Sequence, residues 1–151
     1  MAEPFLLSDQ HFRDINPVDC GWERCGPSHS FGPTARMYWL LHYVVSGSGV
    51  FESGGVRHPV RAGQMFVIHP LETTFYQADE HDPWEYIWIG FHTELTLPAP
   101  LREQAVVQHS GLGSLFSSAL RLEDMTQGRE MYLCGLIYQL LSLLSEHRPS
   151  E

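Results

Sequence analysis

The sequence predicts a mainly-β domain, an antiparallel barrel or sandwich followed by two C-terminal α-helices, and three features of the chain predict it. Between Arg36 and Pro70, apolar runs of strand length are separated by glycine-rich turns. From Tyr38 to Val45 both alternating faces are apolar, with Trp39, Leu41, Tyr43 and Val45 on one side and Tyr38, Leu40, His42 and Val44 on the other. Such a strand is covered on two sides, as in a closed barrel or a sandwich. Beyond Pro100 the apolar period lengthens from two residues to that of a helix. The order is about eight strands and then a helical pair.

Taken from the N-terminus, residues 1–19 read as an arm, with Phe5, Leu6, Leu7 and Phe12 as its apolar anchors. Met1-Ala2-Glu3-Pro4 lacks the basic start of a secretory signal. Cys20 to Cys25 is a short strand carrying Trp22, and its two cysteines have an odd separation. An extended backbone therefore points them to opposite faces, roughly 16 Å apart along the strand, too far for a disulfide. Gly26 to Pro33 has the chemistry of turns and is expected to be a loop.

The stretch from Arg36 to Pro70 reads as three consecutive strands. Ser46-Gly47-Ser48-Gly49 bends the first into the second, Gly54-Gly55 opens a hairpin, and Arg61-Ala62-Gly63-Gln64 leads into Met65 to Ile68. Thr74 to Ala78 is another strand, Asp79 to Pro83 a charged turn, and Trp84 to His92 a strand with Trp84, Tyr86, Trp88 and Gly90 on one face. Leu97-Pro98-Ala99-Pro100 then ends sheet structure. The sheet part is accordingly residues 20–108 and the helical part residues 109–148.

Leu112, Leu115, Phe116, Ala119, Leu120 and Leu122 suit a first amphipathic helix, and Met131, Cys134, Ile137, Tyr138, Leu141 and Leu144 a second. Gly128 separates them and Arg148-Pro149 closes the second. Leu133, Leu136, Leu140 and Leu143 widen the second helix's apolar arc beyond the roughly 100° that one core contact occupies. A homodimer held by these four leucines is the expectation, with charge at Leu140 and Leu143 giving a folded monomer.

Composition narrows the function classes. Of 151 residues 43% are hydrophobic and 18% charged, which fits one globular core. The net charge of -9 and the complete lack of lysine argue against a nucleic-acid surface on this chain. No apolar run reaches membrane-spanning length, so the expected location is the cytoplasm and no membrane partner is expected. Cys134 has no spacing partner, so a zinc ribbon or a disulfide framework is not expected. Ser46 and Ser48 lie in a turn with no His-carboxylate pair aimed at them, and no phosphate loop is present.

The segment HYVVSGSGVFESGGVRHPVRAGQMFVIHP followed by DPWEYIWIGFH resembles the N-terminal effector-binding and dimerisation domain of AraC-type transcriptional regulators. The upstream HSFGPTARMYWLLHYV and the leucine-rich helices extend the similarity over almost the whole chain. Within the family it resembles regulators of sugar and oligosaccharide use in low-GC Gram-positive bacteria. The resemblance implies a cupin-like, jelly-roll barrel that binds a small-molecule effector, a sugar or short oligosaccharide. It also implies a helix-turn-helix DNA-binding domain after residue 151, through which alone DNA would be contacted.

Residue by residue, the resemblance places Trp88 on the position whose aromatic ring stacks on sugar in arabinose-binding members, with Tyr86 two residues before it and Tyr76 on that of a ligand-facing tyrosine. The family's sugar-binding arginine aligns near Gly32. Arg36 therefore rests on its own physical case, a fork of donors entering the most buried strand, as does His42 on the inward face. His29 and Glu52 are further polar candidates in the same region. Metal-binding cupins use a His-x-His pair, a Glu and a distant His. The matching positions here are near Thr34 to Arg36, Leu40 and Thr74, so no metal, no cofactor and no enzyme activity are expected. Three functions are weighed: a sugar-responsive regulator domain, which is the reading adopted, a metal-dependent cupin enzyme, and a dimerisation module without ligand.

Overall fold

In the computed structural model, which describes residues 2–146, ten strands form two antiparallel sheets. The strands are β1 (Ala2–Pro4), β2 (Ile15–Arg24), β3 (Ser30–Thr34), β4 (Trp39–Ser46), β5 (Ser48–Ser53), β6 (Val56–Arg61), β7 (Gln64–Ile68), β8 (Thr74–Ala78), β9 (Glu85–Thr93) and β10 (Val106–Gln108). One sheet has the order β1-β2-β9-β4-β7-β10 and the other β3-β8-β5-β6. They face each other as a cupin-like jelly roll without closing into one hydrogen-bonded barrel. The helices are α1 (Ala99–Glu103), α2 (Leu112–Ala119) and α3 (Arg129–Ser145), with a 3-10 turn at Leu120–Asp124.

The two-faced apolarity of β4 now has its cause, because the larger sheet is the middle of three layers. Leu40, His42 and Val44 point toward the smaller sheet and pack with its Phe51 and Tyr76, together with Phe66 of β7 and Trp84 before β9. Leu41 belongs to the second core, shared with Met65, Val67, Ile87, Ile89, Phe116 and the leucines of α3. Tyr43 stacks on Phe116 at 5.3 Å. Cys20 in β2 and Cys25 just beyond its end fall into different cores, and both are free thiols.

Several boundaries differ from expectation. Arg36 to Pro70 contains four strands, β4 to β7, because the turn at Gly63 (φ 90°) ends one strand and begins another. Gly54 and Gly55, at φ 58° and 77°, have the two positive angles of a type I′ hairpin. Gly47, at φ 76°, lies so close to Pro83 that an added Cβ would sit 2.4 Å from its carbonyl oxygen. The Gly26–Pro33 loop is strand from Ser30 onward. Its Gly32-Pro33 pair is tolerated because β3 is an edge strand, with the register shifting between Phe31 and Thr34. Sheet structure resumes after Pro98-Ala99-Pro100, where the prolines start α1 and β10 then pairs with β7.

The arm of residues 1–19 is shorter than expected, since β2 begins at Ile15 and Pro17 is absorbed beside a bulge. β1 pairs with β2, the Phe5 amide donates to the Cys20 carbonyl, and Phe5 and Leu7 pack on the helical core. The helical segment 109–148 starts where β10 ends at Gln108, with α2 beginning at Leu112, but one short helix, α1, precedes it; Arg148-Pro149 lies outside the described residues.

The leucines assigned to a dimer contact prove to be internal. Leu133 is 0%, Leu136 6% and Leu140 1% exposed, and Leu143 is partly buried against the same core. Packing α3 flat on the sheet, with α1 and α2 beside it, covers a wider arc than a single contact does. What α3 leaves outside is Met131 (67% exposed) and Tyr138 (43%). No helix among the described residues is long and apolar enough to cross a membrane.

Candidate functional site

Register fixes which side chains line the space between the sheets. On the face of the larger sheet turned toward the smaller one, Asp19, Gly21 and Glu23 of β2 stand opposite Gly90, Trp88 and Tyr86 of β9. On the other side of β9, Leu40, His42 and Val44 stand opposite Gly90, Trp88 and Tyr86. Trp88 thus has a neighbour without a side chain at Gly21 and is only partly buried, while Tyr86 is 3% exposed.

The deep end of this space is a packed set of rings. His42 lies parallel to Phe66 at 4.6 Å, with Tyr76 at 4.9 Å, Tyr86 at 4.7 Å and Trp88 at 6.3 Å. His42 is 2% exposed and its Nδ1 has no hydrogen-bond partner among the described residues. Burial, reinforced by the charge of Arg36, pushes its pKa down to about 3, so the ring is neutral at physiological pH. Burial likewise raises Tyr76 to about 12, with Arg36 opposing the shift, and raises Tyr86 strongly. Neither phenol is an acid or base near neutrality.

The shallow end is polar. The Tyr86 hydroxyl donates to Glu23 Oε1 at 3.1 Å, and the Tyr38 hydroxyl reaches Asp19 Oδ2 at 3.4 Å. The Tyr38 ring crosses Gly90, where an added Cβ would lie 2.7 Å from it. Arg36 lies over the Phe31 ring at 4.8 Å, and Phe31 stacks on Tyr76 at 5.6 Å. A partly buried indole, a guanidinium and two carboxylates therefore stand around the ring cluster between the sheets. That set offers donors and acceptors of the kind hydroxyls pair with, and it contains no nucleophile paired with a base.

Of the expected residues, Trp88, Tyr86, Tyr76, His42 and Arg36 do come together. Only Trp88 and Arg36 stand at the opening; His42 is sealed beneath rings and is no rim donor. His29 turns instead to Glu23 Oε2 at 3.4 Å, and Glu52 pairs with Arg57 on the smaller sheet. The positions of the cupin-type metal ligands hold Thr34 paired with Thr74, and a buried Leu40. Asp19, Gly21, Glu23 and Tyr38 were missed. Extending the alternation of β2 back from Cys25 would have found the first three.

The family model described as the AraC-like ligand binding domain matches residues 16–151. The Msm operon regulatory protein of Streptococcus mutans serotype c is 34% identical over 150 residues, covering 90% of this chain and 54% of the relative. The raffinose operon transcriptional regulatory protein RafR of Pediococcus pentosaceus is 34% identical over 141 residues, covering 91% of this chain and 46% of the relative. The chain spans about half the length of these curated relatives. Among solved structures, the protein YhaK from Escherichia coli has a TM-score of 0.56 at 12% identity, over 72% of this chain and 50% of that one, a likeness of fold.

Proposed function

We propose, from the premise that this chain belongs to the family of AraC-like ligand-binding domains, that it is the sensor of a cytoplasmic transcriptional regulator and binds a neutral sugar or short oligosaccharide in the Trp88 cleft. The observation that carries this reading is the partly open Trp88 beside Gly21, with Asp19 and Glu23 on either side along β2. A pyranose has a C–H face that suits an indole plane and equatorial hydroxyls that suit carboxylates and a guanidinium. Two carboxylates and a net charge of -9 disfavour an anionic ligand. Tyr86, Tyr76 and His42 form the packed floor, and Arg36 supplies donors at the rim. DNA would be read by a further domain, and the sensor itself is not an enzyme. A fluorescence titration over mono-, di- and trisaccharides tests this: at least one neutral sugar saturably changes indole emission in the wild type. No saturable change with any of them contradicts it.

The domain is also proposed to pair with a second copy, through the outer face of α3 rather than its buried leucines. Support comes from exposed Met131 and Tyr138 around Gly135, bordering a hollow with Phe12 and Asp14. Sedimentation is expected to show a dimer for the wild type and a folded monomer for Met131→Glu with Tyr138→Arg, melting unchanged apart from its concentration dependence. A wild-type monomer at high concentration, or a dimer that survives both changes, contradicts this interface.

A further inference from the structure

The end of β2 and the turn after it bring together three different ligand types. Atoms of Glu23, Cys25 and His29 all lie within 4.8 Å of one another, one nitrogen, one oxygen and one sulfur. We propose that these three residues form a zinc site, which shares Glu23 with the Trp88 cleft and is distinct from the positions used by metal-binding cupins. The set is the borderline mixture that zinc accepts in tetrahedral sites, with the fourth position left to water. It departs from the expectation of no metal, which considered the His-x-His pattern and a cysteine zinc ribbon.

Geometry supports the assignment beyond proximity. His29 Nε2 and Glu23 Oε2 are 3.4 Å apart, long for a hydrogen bond but equal to the edge of a tetrahedron with bonds of about 2.0 to 2.1 Å. Glu23 Oε1 is held by the Tyr86 hydroxyl, which leaves Oε2 as the free oxygen on the His29 side. The backbone holds the ligands from both sheets: the Cys25 amide donates to the Trp84 carbonyl, and the His29 carbonyl accepts from the Ala78 amide. Closing the set needs side-chain rotations of about 1 Å, which half-exposed His29 can supply. A bound ion would tie the larger sheet to the smaller one at this end.

The test is titration of the purified chain with Co2+ as a spectroscopic probe, followed by displacement with Zn2+. The expected result is one ion per chain, a thiolate-to-cobalt charge-transfer band that Zn2+ abolishes, and a higher melting temperature with Zn2+. Cys25→Ser should remove the band. His29→Ala, at a half-exposed position that should not disturb folding, should lower affinity at least ~100-fold, beyond what loss of an outer-shell contact does. Cys134→Ser and Trp88→Ala should leave the band intact, and Glu23, common to this site and the sugar cleft, is kept in every variant. Absence of a stoichiometric band in the wild type, or a band and affinity unchanged in His29→Ala, overturns the proposal.

Discussion

Leu140→Glu is expected to unfold the domain rather than dissociate an assembly. Leu140 is 1% exposed inside the core that joins α3 to the larger sheet, so the substitution removes an apolar contact and leaves a carboxylate without a partner. Loss of a buried leucine costs about 2 to 5 kcal/mol, and an unpaired buried charge adds several more. Total stabilities of about 5 to 15 kcal/mol leave little after that. Thermal and urea melts followed by circular dichroism should show no cooperative transition, or a midpoint lowered by more than 15 °C. A well-folded monomer would return these leucines to a subunit interface and contradict the packing described for α3.

His42 should make the domain sensitive to mild acid. Its folded pKa is about 3 against 6.5 for a free imidazole, through burial first and Arg36 second. Between those values the unfolded chain takes up a proton that the folded chain does not. Stability is therefore full above about pH 6.5 and falls as pH drops toward 3, at about 1.4 kcal/mol per unit for this one group. Between pH 6.5 and 4 the loss amounts to about 3 kcal/mol. His42→Phe should retain stability at pH 7, because it removes an unpartnered buried nitrogen, and should lose less on acidification. Urea melts of both proteins at pH 7 and pH 4 measure the difference. An equal loss in both would mean that His42 is solvated or finds a partner.

How much of this was legible depends on which physical signal each part leaves. Leu40, Leu41, Val44 and the Trp84–His92 alternation announced a doubly covered sheet, since burial on two faces writes itself into period-two apolarity. The dinucleotide Gly54-Gly55 announced its hairpin because the turn requires two positive φ angles. β3 was obscured because an edge strand tolerates Gly and Pro, the residues that elsewhere signal a loop. On α3, periodicity alone could not separate a wide apolar arc that covers one's own sheet from one that meets a partner. The cleft was half legible: Trp88 stood out by its type and resemblance, whereas Asp19 and Glu23 acquire meaning only from the pairing of β2 with β9.

Whether a sugar sits on Trp88 is decided by calorimetric titration of the best sugar from the panel into wild type, Trp88→Ala and Trp22→Phe. Trp22 lies on the other face of β2, beside a groove of about 400 Å³ lined by Phe5, Leu120, Glu123 and Arg129, and serves as the control. Trp88→Ala should fold normally and bind at least ~10-fold more weakly, about 1.4 kcal/mol or more, while Trp22→Phe binds like wild type. Unchanged affinity in folded Trp88→Ala, with or without a loss in Trp22→Phe, would contradict the account and place the sugar outside the cleft between the sheets.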